Sequence, residues 1–465
     1  MHITRYMLQR LINSAEAATV TTKIGSCQRL FNNAHQFPSS AVLNGCDSGQ
    51  DRLSQETLSE PQLRIVDVKR EDNDQQLFVK WNNGKEGRFP YVWLRDNDPS
   101  SHTYSISKTI RARNMLFKDL DPNISPNKVD YKDNSVRISW SDTANNDSTN
   151  FTSQWLHDRN LCDPEVHDKR TRIYLDNCKS GWDKKILTQV LKPFDFQALL
   201  NDDGQMLAAL EFLNMYGILL LDNVPTEKGP LVKFGKQLGY IKPTNWGDAF
   251  NVEVSLDPAD LAYTACELGL HTDLAYHDEM PSIQCLHCIR SAGGSIGGEN
   301  QFVDMYHVSQ QLKRGDPNAM EILSNVKLEY IADIIEQGIE YQQVARHKTF
   351  NVDSHGNFVY GAFNNQTRSW YYPTTSPRAL KEIYMAMFKF RQYYSKPENM
   401  FEIRLKAGEL IMFDNLRIMH ARSSFEVEPG TNRLLEGIFY TWDAVRSKIL
   451  SLRRKLNTGE QHITI

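Results

Sequence analysis

Residues 268–276 read LGLHTDLAY, and they place two strongly polar side chains, His271 and Asp273, in an otherwise apolar run. The run predicts a β-strand, in which residues two apart point to the same face. His271 and Asp273 would then project together, with Thr272 turned away. One imidazole and one carboxylate on one face are two of the three ligands of a metal site built from two histidines and a carboxylate.

A second apolar run supplies a candidate for the third ligand. His420 follows the stretch LIMFDNLRIM much as His271 follows its own run, so closure of the fold would have to bring the two together. Arg433 stands just before the apolar stretch LLEGIFYTW, where a guanidinium can bind a carboxylate through two hydrogen bonds. The alternatives are a His-x-Asp pair satisfied by its neighbours and a surface salt bridge for Arg433.

Composition restricts the classes of function. The chain has 465 residues, of which 40% are hydrophobic and 24% charged, and its net charge of −4 gives no general attraction for nucleic acid. No stretch approaches the roughly 18 apolar residues that span a bilayer. The seven cysteines are scattered, which favours a reducing compartment over a disulfide framework. Cys285 and Cys288 form the one CxxC pair and are interpreted as buried thiols.

The first 55 residues differ from the rest of the chain. Before Asp47 the only acidic residue is Glu16, and Ser, Thr, Ala and Asn are frequent among scattered Arg and Lys. The stretch RYMLQRLI can form a short amphipathic helix, so residues 1–55 are interpreted as a transit peptide to the mitochondrial matrix. The alternative is a disordered tail without an address, on a cytoplasmic protein.

The remaining sequence predicts two domains. Short runs rich in β-branched and aromatic residues, among them LRIVDV, QLFVKW, FPYVWL and SVRISW, predict a small β-rich domain over 62–160. Over 190–450, helical patterns at MLAALEFLNMYG and RALKEIYMAMFKFRQYYS accompany many short strand candidates, including IQCLHCI, ELIMF and LLEGIFYTW. Strands with a few helices predict a mainly β, α+β fold with a barrel or sandwich core. No glycine-rich phosphate loop follows a strand.

The stretch from about 62 to 455 resembles the γ-butyrobetaine dioxygenase family, which includes trimethyllysine dioxygenase. The resemblance lies in YVWLRDN, LDNVP, LHTD, IQCLHCI, FNNQTR, FDNLRIMHARSSFE and RLLEGIFYTWD. It implies a double-stranded β-helix (jelly-roll) catalytic core and a homodimer. It also implies an enzyme that uses Fe(II), 2-oxoglutarate and ascorbate to hydroxylate a small trimethylammonium substrate, such as γ-butyrobetaine on the route to L-carnitine. The alternatives are trimethyllysine or another betaine-type compound as the substrate, and a catalytically silent binding paralogue.

The resemblance also implies roles for individual residues. His271, Asp273 and His420 would bind the iron, and Arg433 would bind the distal carboxylate of 2-oxoglutarate beside Leu286. Aromatic side chains would hold the trimethylammonium group, and Asn364 would contact the substrate carboxylate. The implied aromatic set consists of Trp246, Phe250, Tyr263 and Phe439. Without the resemblance, the rings would be interpreted as core residues and Asn364 as a turn residue.

The sequence departs from the family pattern in two places. Asp98, Ser100 and Thr103 stand at the positions of a zinc-binding cysteine cluster, so we expect no structural zinc in the first domain. Leu274 and Asp260 replace a tyrosine and an asparagine near the active site, which leaves the substrate open. The FNNQTR segment and the C-terminal stretch favour γ-butyrobetaine, whereas a mitochondrial presequence is more typical of trimethyllysine dioxygenase.

Overall fold

The described residues of the chain form two units. The computed structural model describes residues 63–99, 104–106, 111–113, 116–132, 134–142, 148–172, 179–253, 265–291, 297–336, 338–425 and 433–456. The transit peptide expected at 1–55 lies outside them. The chain divides into two compact units between Asp168 and Lys169, whereas the domain bounds 62–160 and 190–450 stay predictions. None of the described helices is long and apolar enough to cross a membrane.

The first unit consists mainly of antiparallel strands. Its strands are β1 (Ile65–Glu71), β2 (Gln76–Trp81), β3 (Glu86–Pro90), β4 (Tyr104–Ile106), β5 (Arg111–Arg113), β6 (Pro126–Lys132), β7 (Ser135–Trp140) and β8 (Ser148–Thr152). They pair as β1–β2–β3, β4–β5 and β6–β7–β8. The helices are α1 (Tyr91–Asp96), α2 (Ser153–Asp158) and α3 (Pro164–Arg172), the last of which crosses the division between units. The core of this first unit contains the fully buried side chains of Trp81, Trp140 and Phe151.

One local prediction for this unit is wrong. FPYVWL was expected to be a strand, but β3 ends at Pro90 and α1 begins at Tyr91. Proline has no N–H to continue the ladder, and its fixed φ is well suited to the start of a helix.

The second unit contains the predicted jelly roll. Its strands are β9 (Phe194–Asp195), β10 (Ile218–Asp222), β11 (Phe250–Glu253), β12 (Leu268–His271), β13 (Ile283–Arg290), β14 (Asn300–Asp304), β15 (Lys327–Glu336), β16 (Ile339–Lys348), β17 (Phe350–Val352), β18 (Phe358–Gly361), β19 (Met400–Ile403), β20 (Leu410–Asp414), β21 (Ile418–Arg422) and β22 (Leu434–Tyr440). The main sheets have the orders β11–β22–β13–β20–β10–β9 and β12–β21–β14–β19. From β11 to β14, and again from β19 to β22, successive strands mostly alternate between these two sheets. This alternation confirms the expected fold class.

Helices accompany the sheets of the second unit. They are α4 (Lys184–Val190), α5 (Phe196–Asn201), α6 (Asp203–Tyr216), α7 (Pro230–Leu238), α8 (Met305–Gly315), α9 (Pro317–Asn325), α10 (Pro377–Tyr394) and α11 (Trp442–Leu456). Helix α6 packs against α11 and β10, and α8, α9 and α10 pack on one another. Gly217 ends α6 in the left-handed conformation (φ 70°), as its place after MLAALEFLNMY predicts.

A buried ion pair joins the end of β14 to the turn between β20 and β21. Arg417, in the turn before β21, donates from Nε and Nη2 to the two carboxylate oxygens of Asp304, at 2.9 and 2.8 Å. Its Nη1 donates to the carbonyl of Met215 at the end of α6 (2.9 Å). Asp304 also accepts from the backbone N–H groups of Trp182 and Tyr306. The pair therefore anchors the start of the strand that carries His420.

Removing Arg417 should destabilise this unit strongly. We expect Arg417→Leu to lower the free energy of unfolding by about 3–5 kcal/mol, because it leaves the Asp304 carboxylate buried without its cation. The matched control is Arg378→Leu, which breaks an exposed pair with Glu382 and should cost less than about 1 kcal/mol. Urea denaturation followed by circular dichroism measures both, and equal midpoints for the two variants would contradict the assignment.

Candidate metal centre and substrate cavity

The two candidate histidine ligands face each other across neighbouring strands. His271 is the last residue of β12, and its Cα partner on β21 is His420. The two imidazole rings lie with their centroids 4.2 Å apart. The pairing of β12 with β21 therefore brings together the two histidines, which are distant in sequence.

Asp273 joins the histidines from a turn and not from the strand. Strand β12 ends at His271, so the expectation that Asp273 shares its face through strand periodicity is wrong. Thr272 is fully buried and donates its N–H to the carbonyl of Phe363 (2.7 Å), and Leu274 adopts a left-handed backbone (φ 57°). A left-handed backbone is uncommon for a residue other than glycine, and it marks the turn in which Asp273 lies.

The arrangement of ligand atoms fits a metal ion. One candidate ligand atom from each of His271, Asp273 and His420 lies within 4.8 Å of the others. Oδ1 of Asp273 is 3.0 Å from Nε2 of His271 and 3.8 Å from Nε2 of His420. An ion about 2.1 Å from each of two ligand atoms at right angles holds those atoms about 3 Å apart. Among the described residues, this is the only cluster of its kind.

The protonation states of the three side chains also favour binding of a metal cation. Nδ1 of His271 lies 2.8 Å from the carbonyl oxygen of Gly269, so it carries the ring's proton and Nε2 presents a lone pair to Asp273. Burial, then the charge of His271, lowers the pKa of His420 to about 3, so this ring is neutral at pH 7. Burial acts to raise the pKa of Asp273, but the positive charge that the histidines carry at low pH and the hydrogen bond from Gln284 outweigh burial and hold the pKa at about 2. Lone pairs of a carboxylate and a neutral imidazole thus converge, which a metal ion would stabilise.

The predicted site residues line one cavity of about 280 Å³ with the three ligands. Those within the described part of the chain are Trp246, Phe250, Leu286, Asn364, Arg433 and Phe439. Tyr263 and Asp260 lie outside the described residues. Leu274, the departure from the family's tyrosine, also lines the cavity. Among the lining residues that the structure describes, Asp273 is the only acid.

Aromatic rings form one side of the cavity. Phe250 and Phe439 stack with centroids 5.0 Å apart and an angle of 22°, and Trp246 lies 6.2 Å from Phe250 at 49°. Phe250 lies opposite Gly437 in the pairing of β11 with β22. A Cβ atom on Gly437 would lie 2.2 Å from the Phe250 ring, so only glycine leaves room for this packing.

A buried guanidinium lies at another part of the cavity. Arg433 donates from Nη2 to Oδ1 of Asn300 (3.1 Å) and forms no ion pair with the described residues. Burial, then the charge of Arg422, lowers its pKa to about 10, so the group stays charged at neutral pH. Arg422 is a second lining arginine that sequence reasoning missed, and both guanidinium groups lie over the Phe425 ring.

Asn364 also makes the contacts of a turn residue. Its Oδ1 accepts from the backbone N–H groups of Gln366 (2.9 Å) and Thr367 (3.2 Å), and its Nδ2 lies 3.4 Å from the carbonyl of Thr272. Thr367 lines the cavity, and its buried hydroxyl has no hydrogen-bond partner among the described residues. Sequence reasoning missed Thr367, although it lies in the quoted FNNQTR segment.

The cysteines and the zinc prediction concern other regions. Cys285 and Cys288 are both buried on β13, as expected, and burial raises the pKa of the Cys288 thiol to about 11. In the first unit, the carboxylate of Asp98 is buried and accepts from the hydroxyl of Thr149, which in turn accepts from Nε1 of Trp140 (3.1 Å). Ser100 and Thr103 lie outside the described residues, so the absence of zinc stays a prediction.

Two family models match the chain. The model described as the taurine catabolism dioxygenase TauD, TfdA family covers residues 183–439, and that of the N-terminal region of γ-butyrobetaine hydroxylase-like proteins covers 68–157. The γ-butyrobetaine dioxygenase of Homo sapiens is 30% identical over 83% of this chain and 97% of its own length. The chain belongs to the γ-butyrobetaine dioxygenase family. It is a dioxygenase, as the resemblance implied.

Other similarities are more distant. The mitochondrial trimethyllysine dioxygenase of Bos taurus is 28% identical over 73% of this chain and 77% of its own length. A solved taurine dioxygenase from Burkholderia xenovorans is 15% identical, covering 51% of this chain and 80% of its own, with a TM-score of 0.38. Membership of the family therefore rests on the sequence matches and not on this structural likeness.

The metal centre can be tested without an enzyme assay. We expect the metal-free protein to bind one Co(II) ion, and His271→Ala or His420→Ala to weaken binding by more than the ~10–100-fold typical of changes beyond the ligands themselves. The control is His287→Leu, since His287 is buried but does not line the cavity. Isothermal titration calorimetry measures the Kd, and an equal loss in the control would refute the site.

Proposed function

We propose that this dioxygenase hydroxylates γ-butyrobetaine to L-carnitine, with Fe(II) bound by His271, Asp273 and His420 and 2-oxoglutarate as cosubstrate. The observation that carries the proposal is the content of one cavity. Three metal-ligand side chains, a buried arginine and a set of aromatic rings line it together. Each group of residues suits one component of this reaction.

The arginine suits the 2-oxo acid. Arg433 is a buried cation whose described side-chain partner is the neutral amide of Asn300, so an incoming carboxylate would supply the missing counter-charge. Leu286 on β13 lines the same cavity and would pack against the methylene groups of 2-oxoglutarate. Arg422 lies near enough to depress the pKa of Arg433, which adds to the attraction for a dianion.

The rings suit a quaternary ammonium group. Such a group has no N–H to donate, and aromatic faces attract it by roughly 0.5–2 kcal/mol per ring. Trp246, Phe250 and Phe439 provide these faces, and Asp273 is assigned to the metal. A primary amine would instead favour a site with further acceptors. Tyr263, which lies outside the described residues, belongs to the proposed set by family resemblance.

The carboxylate of the substrate has a candidate donor. Thr367 lines the cavity, and its hydroxyl is buried without a partner among the described residues, so a carboxylate oxygen that reached this hydroxyl would satisfy it. The turn that Asn364 organises places Thr367 and Gln366 at this position. We therefore assign substrate-carboxylate binding to Thr367 together with Asn364.

The protein's part in the reaction is to bind and orient. When bound, Fe(II) supplies the oxidative chemistry that couples decarboxylation of 2-oxoglutarate to hydroxylation of the substrate. His271 keeps its lone pair on Nε2 because Nδ1 donates to Gly269. The apolar rings and Leu274 would disfavour water in the cavity, Arg433 would attract the cosubstrate carboxylate, and the aromatic faces would attract the ammonium group. Orientation of this kind is worth several orders of magnitude in rate.

Trimethyllysine is the second candidate substrate. Two observations favour it. The chain matches trimethyllysine dioxygenases, and Leu274 lines the cavity where the γ-butyrobetaine dioxygenase pattern has a tyrosine. Against it, trimethyllysine carries an additional α-ammonium group, and the described lining offers no carboxylate other than the proposed metal ligand Asp273.

Further properties follow from the family and the sequence as part of the same proposal. Ascorbate is the expected reductant, and the first unit is expected to bind no zinc because Asp98, Ser100 and Thr103 stand at the positions of the family's zinc-binding cysteines, and Ser and Thr are poor zinc ligands. We propose a homodimer, as the family resemblance implies. Residues 1–55 would direct the chain to the mitochondrial matrix, with the cytoplasm as the alternative.

A substrate panel tests the function. We expect succinate release with Fe(II), ascorbate and 2-oxoglutarate to be stimulated most by γ-butyrobetaine, less by trimethyllysine, and little by 5,5-dimethylhexanoate. The last compound replaces the ammonium nitrogen by carbon, so it keeps the shape and loses the attraction to the rings. Mass spectrometry identifies the hydroxylated product.

The control for the panel is His271→Ala, which removes a proposed metal ligand. Stimulation no greater than in this control would reject the proposed function. Stimulation by trimethyllysine alone would transfer the assignment to the second candidate.

Arg433 provides a more specific prediction. We expect Arg433→Met to raise the KM for 2-oxoglutarate by roughly 10–100-fold, since a charge-assisted hydrogen bond contributes about 1.5–3 kcal/mol. The KM for γ-butyrobetaine should change little. The matched control is Arg290→Met, which alters an exposed pair with Glu253 on the same sheet. Steady-state kinetics with each substrate varied would refute the role if both KM values rose equally.

A further inference from the structure

Asp273 needs support that its own strand does not provide. The pairing of β12 with β21 ends with His271 opposite His420, and Asp273 follows in the turn. The ladder therefore gives the backbone N–H and C=O of Asp273 no partner. A carboxylate on an unsupported turn samples many rotamers, and ordering it would reduce the affinity for a metal.

Asn415 supplies the missing backbone partners. Its Oδ1 accepts from the N–H of Asp273 at 2.7 Å, and its Nδ2 donates to the carbonyl of the same residue at 3.0 Å. A side-chain amide thus makes the two hydrogen bonds that a residue on a neighbouring strand would make. Nδ2 also donates to the carbonyl of Pro281 at 3.0 Å, so the amide is connected to the segment before β13.

Asn415 is itself fixed in place. It is fully buried in the turn between β20 and β21, and its N–H donates to the carbonyl of Ser282 (2.7 Å). Two residues later, Arg417 forms the buried pair with Asp304. The amide that holds Asp273 therefore belongs to the same rigid turn that begins the strand of His420.

Gln284 acts on the carboxylate of the same residue. Its Nε2 donates to Oδ2 of Asp273 at 2.6 Å, and Oδ1 is the oxygen that lies 3.0 Å from Nε2 of His271. The two oxygens are thereby distinguished, one bound by the amide and one presented to the histidines. Asn415 fixes the backbone and Gln284 fixes the side chain.

We propose that Asn415 is a positioning residue for the metal site, which holds Asp273 in its metal-binding conformation before any ion arrives. The proposal rests on the metal role assigned to His271, Asp273 and His420. Because the turn is already ordered, binding an ion costs little further conformational entropy. Loss of the amide would therefore weaken metal binding without removing a ligand.

Metal affinity of the apoprotein tests the proposal. We expect Asn415→Ala to raise the Kd for Co(II) by about 10–100-fold, the range found when partners of metal ligands are removed. Asn415→Ser keeps one hydrogen-bonding group, a hydroxyl in place of the amide, and should give an intermediate Kd; it replaces the alanine variant if that variant does not fold. Titration calorimetry gives the Kd, and urea denaturation gives the stability of each variant.

The chain offers a closely matched control. Asn399 is also buried, and its amide makes three hydrogen bonds: Nδ2 donates to Gln311 and to the carbonyl of Tyr393, and Oδ1 accepts from Gln311. It does not line the cavity. Asn399→Ala should lower stability to a similar degree as Asn415→Ala, yet leave the Kd for Co(II) unchanged.

The outcomes distinguish a failure of the positioning role of Asn415 from a failure of the metal site itself. An unchanged Kd in the folded Asn415 variants, or an equal loss in Asn399→Ala, would overturn the positioning role while leaving the metal site intact. If the unaltered protein bound Co(II) no better than His271→Ala, the metal site and the proposed function would fall, and the positioning role with them.

Discussion

The cross-strand pairing of His271 with His420 is the constraint on which the site depends. Strands β12 and β21 are distant in sequence, and their antiparallel register alone brings the two imidazole rings within 4.2 Å. The buried pair of Arg417 with Asp304 fixes the start of β21, so stability and site geometry share one set of contacts. A shift of one residue in this register would turn one histidine away from the cavity.

The residues that line the cavity suit groups of opposite charge. The guanidinium groups of Arg422 and Arg433 create a positive region for an anion, while the aromatic rings suit a cation that cannot donate a hydrogen bond. The carboxylate of Asp273, among the described lining residues, is the sole acid and lies with the histidines. In the proposed reaction, the arginines would bind an anionic cosubstrate and the rings a cationic substrate.

Much of this was predictable from the sequence. Helix α6 with Gly217 at its end, the strands at IQCLHCI and LLEGIFYTW, and the jelly-roll class all follow from apolar periodicity and the family motifs. The strand expected at FPYVWL was wrong because Pro90 ends the ladder there. The identities of His271, Asp273 and His420 came from residue type and order, whereas strand periodicity was the wrong reason for the placement of Asp273.

By itself, the sequence determined the chemical groups: two imidazoles, a carboxylate, an arginine before an apolar strand and several aromatic rings. Only the tertiary structure decided how they meet. The hydrogen bond of Thr272 with Phe363, the amide of Asn415 on the Asp273 backbone and the space that Gly437 leaves for Phe250 depend on partners far along the chain. The sequence around one residue does not identify such partners, because a hydrogen bond or a ring contact depends equally on a second residue that is distant in sequence.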